Sequence, residues 1–472
     1  MMKKQYILIP VALILGIGVY AILQKFYLKK GPLYTYLMIE QSKPLRGEVQ
    51  VIGAKNAVLV IMASLILTSG KSRLINVPGS DDMHHMCILL RELGANVTFY
   101  SDLRELDIDT TMLSGYTVGP EIMKKMRASI LVMGPLLARF GHAHVALPGG
   151  CVLGDRPVDY HLKGLAALGA TSERRGEYIE SRVTSFKAAR IVLEYPSVGA
   201  TENILMAAVL TPGTTRIINA ALEPEVLDLI EILQKMGASI AIHAPATIEI
   251  CGVSTLKPVE HTIIPDRLEA GTLLVAAAIT RGALCLPEAR PGHMDVFLDK
   301  LSEMGHVITV GEHGRGVEIK ATQTPRAVSF KTMPFPGFPT DLQAPMFAAQ
   351  CVAEGTSVIN ETVYENRLTH ARELRKMGAQ IVLHGTTATI KGVDALYGTH
   401  VIAPDIRGAA ALVCAGLVAR GYTAMTGIHH LKRGYEELDK KLSHLGAHIL
   451  WKDGEDYIKL PERSVSSRVI AD

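Results

Sequence analysis

The chain has 472 residues, an apolar content of 48% and a formal net charge of only +3 at neutral pH. This length predicts two or three domains with large cores. No stripe of lysine and arginine with interleaved aromatic residues is present, so nucleic-acid binding is not expected. The six cysteines include no Cys-x-x-Cys pair and there is no His-Glu-x-x-His motif, so neither a disulfide scaffold nor a metal site is predicted.

The chain begins with a candidate membrane segment. Residues 6–23 are 18 consecutive uncharged residues with lysines on both sides. As a helix they would span about 27 Å at about 1.5 Å per residue, which is close to the thickness of a bilayer core. We interpret this segment as an uncleaved signal anchor. A cleaved signal peptide, or an upstream region translated from a wrong start, are the alternatives. The flanking lysines leave its orientation undecided.

Six amphipathic helices are predicted to end in the same way, at Leu-Gly or Met-Gly. The glycines are Gly94, Gly169, Gly237, Gly305, Gly378 and Gly446, at intervals of 68 to 75 residues. A period near 70 residues is too long for a solenoid and is typical of a compact α/β unit. A glycine after the last helical residue is the usual left-handed cap.

Each unit is predicted to contain an apolar helix, a turn, a β-branched strand, the helix that ends at glycine, and further strands. The predicted first helices include residues 57–67, 130–138 and 204–210, and the second include 226–236, 294–304, 369–377 and 434–445. The strands include 215–218, 247–250, 317–320 and 356–359. Because no unit buries both faces alone, six units would pack as two groups of three, divided near residues 263–265.

Eight short motifs follow one another along the chain. They are Gly53-Ala54-Lys55-Asn56, Met126-Arg127-Ala128-Ser129, Pro148-Gly149-Gly150-Cys151, Arg156-Pro157-Val158-Asp159, Ser197-Val198-Gly199-Ala200-Thr201-Glu202-Asn203, Phe338-Pro339-Thr340-Asp341, Glu365-Asn366-Arg367 and Arg433-Gly434-Tyr435-Glu436. Together they resemble the enolpyruvyl transferase family, from about Tyr34 to Glu462.

The resemblance implies an α/β fold of two inside-out domains, each of three repeated β-α-β-α-β-β units. Residues 55–264 would form an inner domain with the cysteine loop. Residues 34–54 and 265–462 would form the second domain. Residues 1–33, with the candidate transmembrane helix, and the tail 463–472 would lie outside both.

The motifs resemble most the branch of the family that uses a sugar nucleotide. The implied reaction transfers the enolpyruvyl group of phosphoenolpyruvate to the 3′-hydroxyl of UDP-N-acetylglucosamine and releases phosphate, with no cofactor. It would be the first committed step of peptidoglycan precursor synthesis, on the cytoplasmic side of the membrane. Two alternatives stay open: a shikimate-pathway enolpyruvyl transferase, and a membrane-tethered, inactive sugar-nucleotide-binding paralogue. The oligomeric state is not predicted.

Cys151 is the cysteine that falls in a Gly-rich loop. By resemblance it is the proton donor to the enol carbon and the target of the epoxide antibiotic fosfomycin, and cations beside it would lower the pKa of its thiol. Four others lie in strand or helix patterns among apolar residues and are expected to fill core space: Cys251, Cys285, Cys351 and Cys414. Cys87 lies in a predicted helix.

Lys55, Arg433 and two carboxylates complete the predicted catalytic set, and Arg156 is predicted to bind substrate beside the two cations. By resemblance Lys55, Arg156 and Arg433 bind the anionic donor, Asp341 is the candidate base at the sugar hydroxyl, and Asp405 lines the reaction centre. Either aspartate could instead cap a helix, since helical patterns follow both of them.

The remaining predicted contacts bind substrate. By resemblance Arg127 contacts the sugar nucleotide, and the other members are Asn56, Pro157, Val158, Asp159, Tyr160, Ser197, Val198, Val363, Arg367 and Arg407. Two residues depart from the family pattern: Lys432 replaces a common aspartate before Arg433, and His85 replaces a usual threonine.

Overall fold

The computed structural model describes residues 35–147 and 158–454. The predicted membrane segment 6–23, the tail 463–472 and the loop that carries Cys151, Arg156 and Pro157 lie outside these residues, as does the side chain of Arg127. Within the described residues, no helix combines the length and the apolar character needed to cross a membrane.

The described strands form six four-stranded sheets that share one pattern. In each sheet a short edge strand runs parallel to its neighbour, and the two strands beyond that neighbour are antiparallel. Three sheets, given from the short edge strand, are β14 (Glu260–Thr262), β3 (Lys71–Ile75), β5 (Glu105–Asp109), β4 (Asn96–Tyr100); β6 (Thr117–Val118), β7 (His142–Ala146), β9 (Tyr178–Arg182), β8 (Thr171–Arg175); and β10 (Arg190–Val192), β11 (Thr214–Ile218), β13 (Thr247–Cys251), β12 (Ser239–His243).

The other three sheets follow the same order. They are β2 (Arg46–Glu48), β15 (Ala283–Leu286), β17 (Val317–Lys320), β16 (Val307–Val310); β18 (Phe330–Lys331), β19 (Thr356–Asn360), β21 (Thr387–Lys391), β20 (Gln380–His384); and β22 (His400–Ile402), β23 (Tyr422–Thr426), β1 (Thr35–Glu40), β24 (Ile449–Asp453). The mixed α/β fold that the sequence predicts is therefore confirmed.

Helices and short 3-10 turns connect these strands. The α-helices are α1 (Lys55–Ser64), α2 (Asp81–Glu92), α3 (Pro120–Lys125), α4 (Met133–Phe140), α5 (Asp159–Ala167), α6 (Val198–Ala208), α7 (Pro224–Lys235), α8 (Arg267–Thr280), α9 (Asp295–Glu303), α10 (Thr340–Gln350), α11 (Ala371–Lys376), α12 (Ile406–Val418), α13 (His429–Gly434) and α14 (Leu438–His444). The 3-10 turns are Leu65–Leu67, Arg127–Val132, Pro291–His293, Glu312–Gly314 and Arg367–His370.

The buried apolar side chains form two separate hydrophobic cores. The first core lies within residues 54–264, and the second combines residues 37–51 with residues 268–449. We call residues 54–264 the first lobe and residues 35–53 with 265–454 the second lobe. Helices α1, α4 and α6 lie in the first core and α8, α10 and α12 in the second. All 14 residues of α8 are buried, including the charged residues Arg267 and Glu269 in its first turn.

The chain crosses between the lobes at two adjacent points. Ala54 N donates to Ile264 O at 2.7 Å, and Asp266 N donates to Ile52 O at 2.8 Å. Gly53 and Pro265 form an antiparallel bridge between these hydrogen bonds. A Cβ at Gly53 would lie 1.8 Å from the Asn76 carbonyl oxygen, so only glycine fits at this crossing. The entry to and the exit from the first lobe are therefore tied together.

The structure confirms the helix ends that the sequence predicts. The six glycines have φ between 96° and 109°, a region that residues with a Cβ rarely adopt. The prediction of one helix over residues 434–445 is wrong. Helix α13 ends at Gly434, Glu437 has φ of 50°, and α14 begins at Leu438. The break turns the Tyr435 side chain inward, where it bonds to buried side chains rather than to solvent.

Candidate active site

Lys55 and Arg433 approach each other from opposite lobes. Lys55 is the first residue of α1 and Arg433 lies in α13. Lys55 Nζ lies 3.1 Å from Asp82 Oδ2, and Arg433 Nε lies 2.9 Å from Asp82 Oδ1. Asp82 sits in the first turn of α2, which Ser80 caps by accepting from Met83 N. One buried carboxylate therefore joins two predicted donor-binding cations.

The charge state of Asp82 follows from these contacts. Burial opposes ionisation, but the charges of Lys55 and Arg433 outweigh it and lower the pKa of Asp82. The carboxylate therefore stays ionised at neutral pH. Two cations against one anion leave this cluster with one net positive charge, which favours binding of an anion.

Asp341 forms a second charged cluster in the second lobe. It is the second residue of α10, where Arg367 Nη2 contacts one of its oxygens and Arg407 Nη2 lies 3.0 Å from the other. Burial would raise the pKa of Asp341, but Arg407 and Arg367 together hold it well below its usual range. The helix N-cap is Pro339 and has no side-chain cap, so the interpretation of Asp341 as a capping residue is wrong.

Asp405, by contrast, does cap a helix. Its Oδ1 accepts from Arg407 N at 2.9 Å and from Gly408 N at 3.0 Å, at the start of α12. Thr369 Oγ1 donates to the other oxygen at 3.3 Å. The capping interpretation is therefore confirmed for Asp405. Its hydrogen bond to Arg407 N also fixes the start of α12. This helix carries Arg407, whose guanidinium binds Asp341.

Tyr435 and Asp266 extend the two clusters. Arg407 Nη1 donates to Tyr435 Oη at 3.1 Å, and this hydroxyl shares a hydrogen bond of 3.0 Å with Thr272 Oγ1. Asp266 caps α8 through Leu268 N and also accepts from Lys55 N at 3.2 Å. Burial raises the pKa of Asp266, and Arg407 acts against this shift. Tyr435 thus extends the Asp341 cluster and Asp266 extends the Lys55 cluster, and the charges of Asp266 and Arg407 act on each other across the gap.

The predicted nucleotide contacts lie at helix starts in the first lobe. Val158 is the N-cap of α5, which Asp159 and Tyr160 begin, while Ser197 is the N-cap of α6, which Val198 begins. The two helices are joined by a 2.8 Å hydrogen bond between His161 Nδ1 and Asn203 Nδ2.

Val363 belongs to the second lobe. Its N–H donates to Glu361 Oε1 at 2.8 Å. Burial raises the pKa of Tyr195 to about 12, and Tyr364 and Tyr160 both contribute to the shift. The charges of Tyr364 and Tyr160 thus both act on Tyr195, which lies just before the start of α6.

The two departures from the family pattern leave the charged clusters intact. Lys432 Nζ lies over the Trp451 ring, 4.8 Å from its centroid, and Trp451 Nε1 donates to Asp439 at 2.8 Å. Its ammonium is thus used in a cation–π contact. His85 lies in α2, and within the described part of the chain its Nδ1 is buried without a hydrogen-bond partner.

The described cysteines only partly match the expectation that they fill core space. Cys87, Cys351 and Cys414 are buried, and burial raises the pKa of Cys87 to about 11 and that of Cys414 to about 12. Cys251 is exposed and Cys285 is half-buried, because both point to the outer face of a sheet. The core interpretation of these two residues is wrong.

Sequence reasoning assigned no role to Asp82, Asp266, Tyr435 or Glu436. Asp82 follows Ser80 and Asp81 at a helix start, where acidic residues are common for a local reason. Asp266 likewise reads as a helix cap. Their second partners come from the other lobe, and no local pattern indicates such contacts.

Comparison with a family profile and with named relatives indicates the same family. The profile of the EPSP synthase family (3-phosphoshikimate 1-carboxyvinyltransferase) matches residues 39–442. A protein named UDP-N-acetylglucosamine 1-carboxyvinyltransferase 1 from Caldanaerobacter subterraneus is 47% identical over 418 residues, which are 89% of this chain and 100% of the relative. UDP-N-acetylglucosamine 1-carboxyvinyltransferase from Geobacter metallireducens is 46% identical over 413 residues, covering 88% of this chain and 98% of the relative.

Solved structures show the same fold. The enolpyruvyl transferase NikO from Streptomyces tendae superposes with a TM-score of 0.82 at 25% identity, covering 90% of this chain and 100% of that protein. EPSP synthase from Acinetobacter baumannii has a TM-score of 0.71 at 18% identity, covering 89% of this chain and 100% of that protein.

Proposed function

Because the chain belongs to the EPSP synthase family, we propose that it transfers the enolpyruvyl group of phosphoenolpyruvate to the 3′-hydroxyl of UDP-N-acetylglucosamine and releases phosphate. Relatives that carry this activity in their names share 46–47% of their residues with this chain over almost their whole length. The assignment of the active site rests on one observation: Lys55 and Arg433, which belong to different lobes, both form an ion pair with Asp82.

The donor carries a phosphate and a carboxylate, so its site needs more cationic charge than the carboxylates of the protein neutralise. Lys55 offers a compact ammonium, and Arg433 offers a guanidinium that suits bidentate contact with phosphate or carboxylate. Because Lys55 and Arg433 belong to different lobes, the donor site is complete only where the two lobes meet. We propose that Arg156 also binds the donor, and this proposal rests on the resemblance to the family alone.

Asp341 is the proposed base for the sugar hydroxyl. With both oxygens held by Arg367 and Arg407, it is a weak proton acceptor in the structure as it stands. Each oxygen keeps a second lone pair that can accept from the sugar hydroxyl, and proton transfer to Asp341 becomes easier once one arginine moves away. Asp405 acts nearby by holding the backbone of Arg407 in place.

Cys151 is the proposed acid that protonates the enol carbon as the hydroxyl adds to its neighbour. The resulting tetrahedral adduct loses a proton from that carbon and phosphate from its neighbour, which restores the carbon–carbon double bond of the enolpyruvyl group, now joined to the sugar oxygen. The nucleotide part of the acceptor is proposed to bind Arg127, Pro157 and the helix starts at Asp159 and Val198, and Val363 is proposed to contact it from the second lobe. Asn56 lies next to Lys55, half-buried at the start of α1.

A phosphate-release assay with each acceptor tests the proposal. Wild-type protein should release phosphate from phosphoenolpyruvate with UDP-N-acetylglucosamine and not with shikimate 3-phosphate. Lys55→Ala should lower kcat/KM by about 100-fold, the scale of losing a preorganised charged contact in the transition state. Lys71→Ala is the matched control, because Lys71 also pairs with an aspartate, Asp107 at 2.8 Å, but is 60% exposed. Its activity should stay within about twofold of wild type.

Other outcomes would sink parts of this assignment. Release with shikimate 3-phosphate alone would indicate the shikimate-pathway reaction. Tight binding of UDP-N-acetylglucosamine without phosphate release would indicate an inactive paralogue. Cys151→Ser should abolish covalent modification by fosfomycin, and an unmodified wild-type Cys151 after incubation with acceptor and fosfomycin would contradict its role.

We also propose that the two lobes correspond to the domains predicted from the resemblance, residues 55–264 and residues 34–54 with 265–462. The position of the helices supports an inside-out arrangement, since α8 is wholly buried while strands such as β13 and β17 have alternate side chains that are exposed or half-buried. Closure of the two domains on substrate is the usual use of such a cleft.

Residues 6–23 are proposed to anchor the protein to the inner face of the cytoplasmic membrane. The catalytic body must then lie on the cytoplasmic side, where both substrates are found. Protease added to intact spheroplasts should leave the body uncut, whereas cleavage from outside would refute this topology.

A further inference from the structure

Glu436 forms a contact between the lobes beside the proposed donor site. It lies three residues after Arg433, in the break between α13 and α14. Its Oε2 accepts from Gly79 N at 2.7 Å and from Arg104 Nη1 at 2.8 Å. Both donors belong to the first lobe, so one carboxylate oxygen of the second lobe binds two separate segments of the first.

The first lobe is shaped to receive this carboxylate. A Cβ at Gly79 would lie 3.1 Å from Glu436 Oε1 and 3.3 Å from its Cδ, so any larger residue would crowd the carboxylate. Arg104 lies in the turn between β4 and β5 with φ of 53°, a left-handed conformation that few residues other than glycine adopt. Its carbonyl accepts from Val77 N at 2.8 Å, which ties this turn to the segment that carries Gly79.

Glu436 and Arg433 hold the same stretch of the first lobe. Arg433 pairs with Asp82, and Glu436 binds Gly79 only three residues earlier. If the donor binds Arg433, its anionic groups compete with Asp82 for the guanidinium. The Arg433 contact then weakens as a link between the lobes, whereas Glu436 binds only protein groups and can hold the lobes together throughout.

We infer that Glu436, Gly79 and Arg104 form a latch that keeps the lobes closed around the donor and positions Arg433 for it. Arg104 and Glu436 are positioning residues, because they act through Arg433. The inference rests on the proposed function for the role of Arg433. The contact between the lobes itself does not depend on that role.

Steady-state kinetics with varied phosphoenolpyruvate at saturating UDP-N-acetylglucosamine test the latch. Arg104→Ala and Glu436→Gln should each raise KM for phosphoenolpyruvate about three- to ten-fold, the range expected for a partly exposed, charge-assisted hydrogen bond. The kcat and the KM for the acceptor should change less than about twofold, and Arg104→Lys should restore most of the affinity.

Two further variants separate the latch from a general structural effect. The double variant Arg104→Ala with Glu436→Gln should be no worse than the more affected single variant, because both substitutions act on the same Arg104–Glu436 contact. Arg216→Ala is the matched control, since Arg216 forms an ion pair on an outer sheet of the same lobe, with Glu249. It should leave the KM for phosphoenolpyruvate unchanged. Unchanged KM in both latch variants, or additive effects in the double variant, would overturn the inference.

Hydrogen exchange gives a readout that needs no activity. The Gly79 amide donates to Glu436, so it should exchange faster in Glu436→Gln and in Arg104→Ala than in the wild type, while peptides from α8 stay protected. Equal exchange at Gly79 in all three proteins would refute the latch, whether or not the wild type is active. An inactive wild type with faster Gly79 exchange in the variants would refute the proposed function and retain the contact.

Discussion

Carboxylates in this protein take opposite charge states because of their neighbours. Asp82 is buried and the side chain of Asp341 is 26% exposed, and each has two cationic partners, so the pKa of each falls and both stay ionised. Glu202, in α6, is fully buried and has Glu225 and Glu223 nearby, so burial and these two charges raise its pKa well above the ordinary value. Cationic partners lower the pKa of Asp82, whereas Glu202, which is buried to the same extent, has acidic neighbours and a raised pKa.

The state of Glu202 has a consequence for stability against pH. Its pKa is higher in the folded than in the unfolded protein, so its contribution to stability is fully present below about pH 4, and is lost as pH rises toward the folded pKa. Glu202→Gln cannot titrate. The variant should therefore gain stability relative to wild type between pH 5 and pH 8, by up to about 1.4 kcal/mol per pH unit.

Urea unfolding at pH 5 and pH 8 measures this gain. Glu312→Gln is the control, because Glu312 is an exposed glutamate in the second lobe, and its difference from wild type should not depend on pH. A constant difference between Glu202→Gln and wild type across this range would show that Glu202 is ionised in the folded protein.

The glycines that end the second helix of each unit are the clearest feature of the repeated elements. Gly237 follows α7 with φ of 109°, and a Cβ placed there would meet no atom within 4 Å. Any cost of adding a side chain at this position is therefore conformational and does not come from crowding.

Gly237→Ala should accordingly destabilise the protein by about 1–2 kcal/mol, the cost of a left-handed conformation for a residue with a Cβ. Gly292→Ala is the matched control, since that glycine also has open space around its Cβ position but lies in a 3-10 turn without a positive φ. It should change stability by less than about 0.5 kcal/mol. Equal free energies of unfolding for the two variants would contradict the argument.

Local patterns predicted most elements of each unit. The strand predicted at residues 215–218 is observed at Thr214–Ile218, and the helix predicted at 226–236 is Pro224–Lys235. The helix predicted at 434–445 failed because Tyr435 bonds to Arg407 and Thr272, which are distant in sequence. Residues 369–377 became a 3-10 turn followed by α11, because Arg367 at the start of that turn binds Asp341. The pattern of a segment does not report such distant partners.

The sequence also predicted only part of the site, again because contacts between residues that are distant in sequence leave no local pattern. The structure brings Asp341, Arg367 and Arg407 together and places Lys55 opposite Arg433. The residues that join these groups were not predicted, since Asp82 and Asp266 each have a sufficient local explanation as part of a helix start. The roles proposed for Cys151 and Arg156, and the domain boundaries, stay predictions.

At the scale of the whole molecule, a buried ion pair joins the two lobes beside the chain crossing. Arg267, the first residue of α8, makes two hydrogen bonds of 3.0 Å to Glu225 of α7. Its side chain is only 9% exposed and that of Glu225 only 4%. Breaking such a pair leaves an uncompensated buried charge, which costs far more than the loss of a surface pair.

Glu225→Gln should therefore destabilise the protein by about 3–5 kcal/mol. The control is Glu249→Gln, which removes the partner of Arg216, a residue that is 59% exposed, and should cost less than about 1 kcal/mol. Denaturant unfolding measures both values. If both substitutions cost the same, the Arg267 charge must be solvated in the folded protein, contrary to the structure.

The strand pairing across the chain also determines the order in which a newly made chain can fold. The first lobe receives its last strand, β14, when residue 262 has been synthesised. Strand β1 is made early, but Leu37 pairs with Met425, about 390 residues further on. At about 5–20 residues per second the ribosome needs roughly 20–80 s to supply that partner. During this time a strand with apolar side chains has both edges free, so the nascent chain presents a site for aggregation or chaperone binding until β23 and β24 have been made.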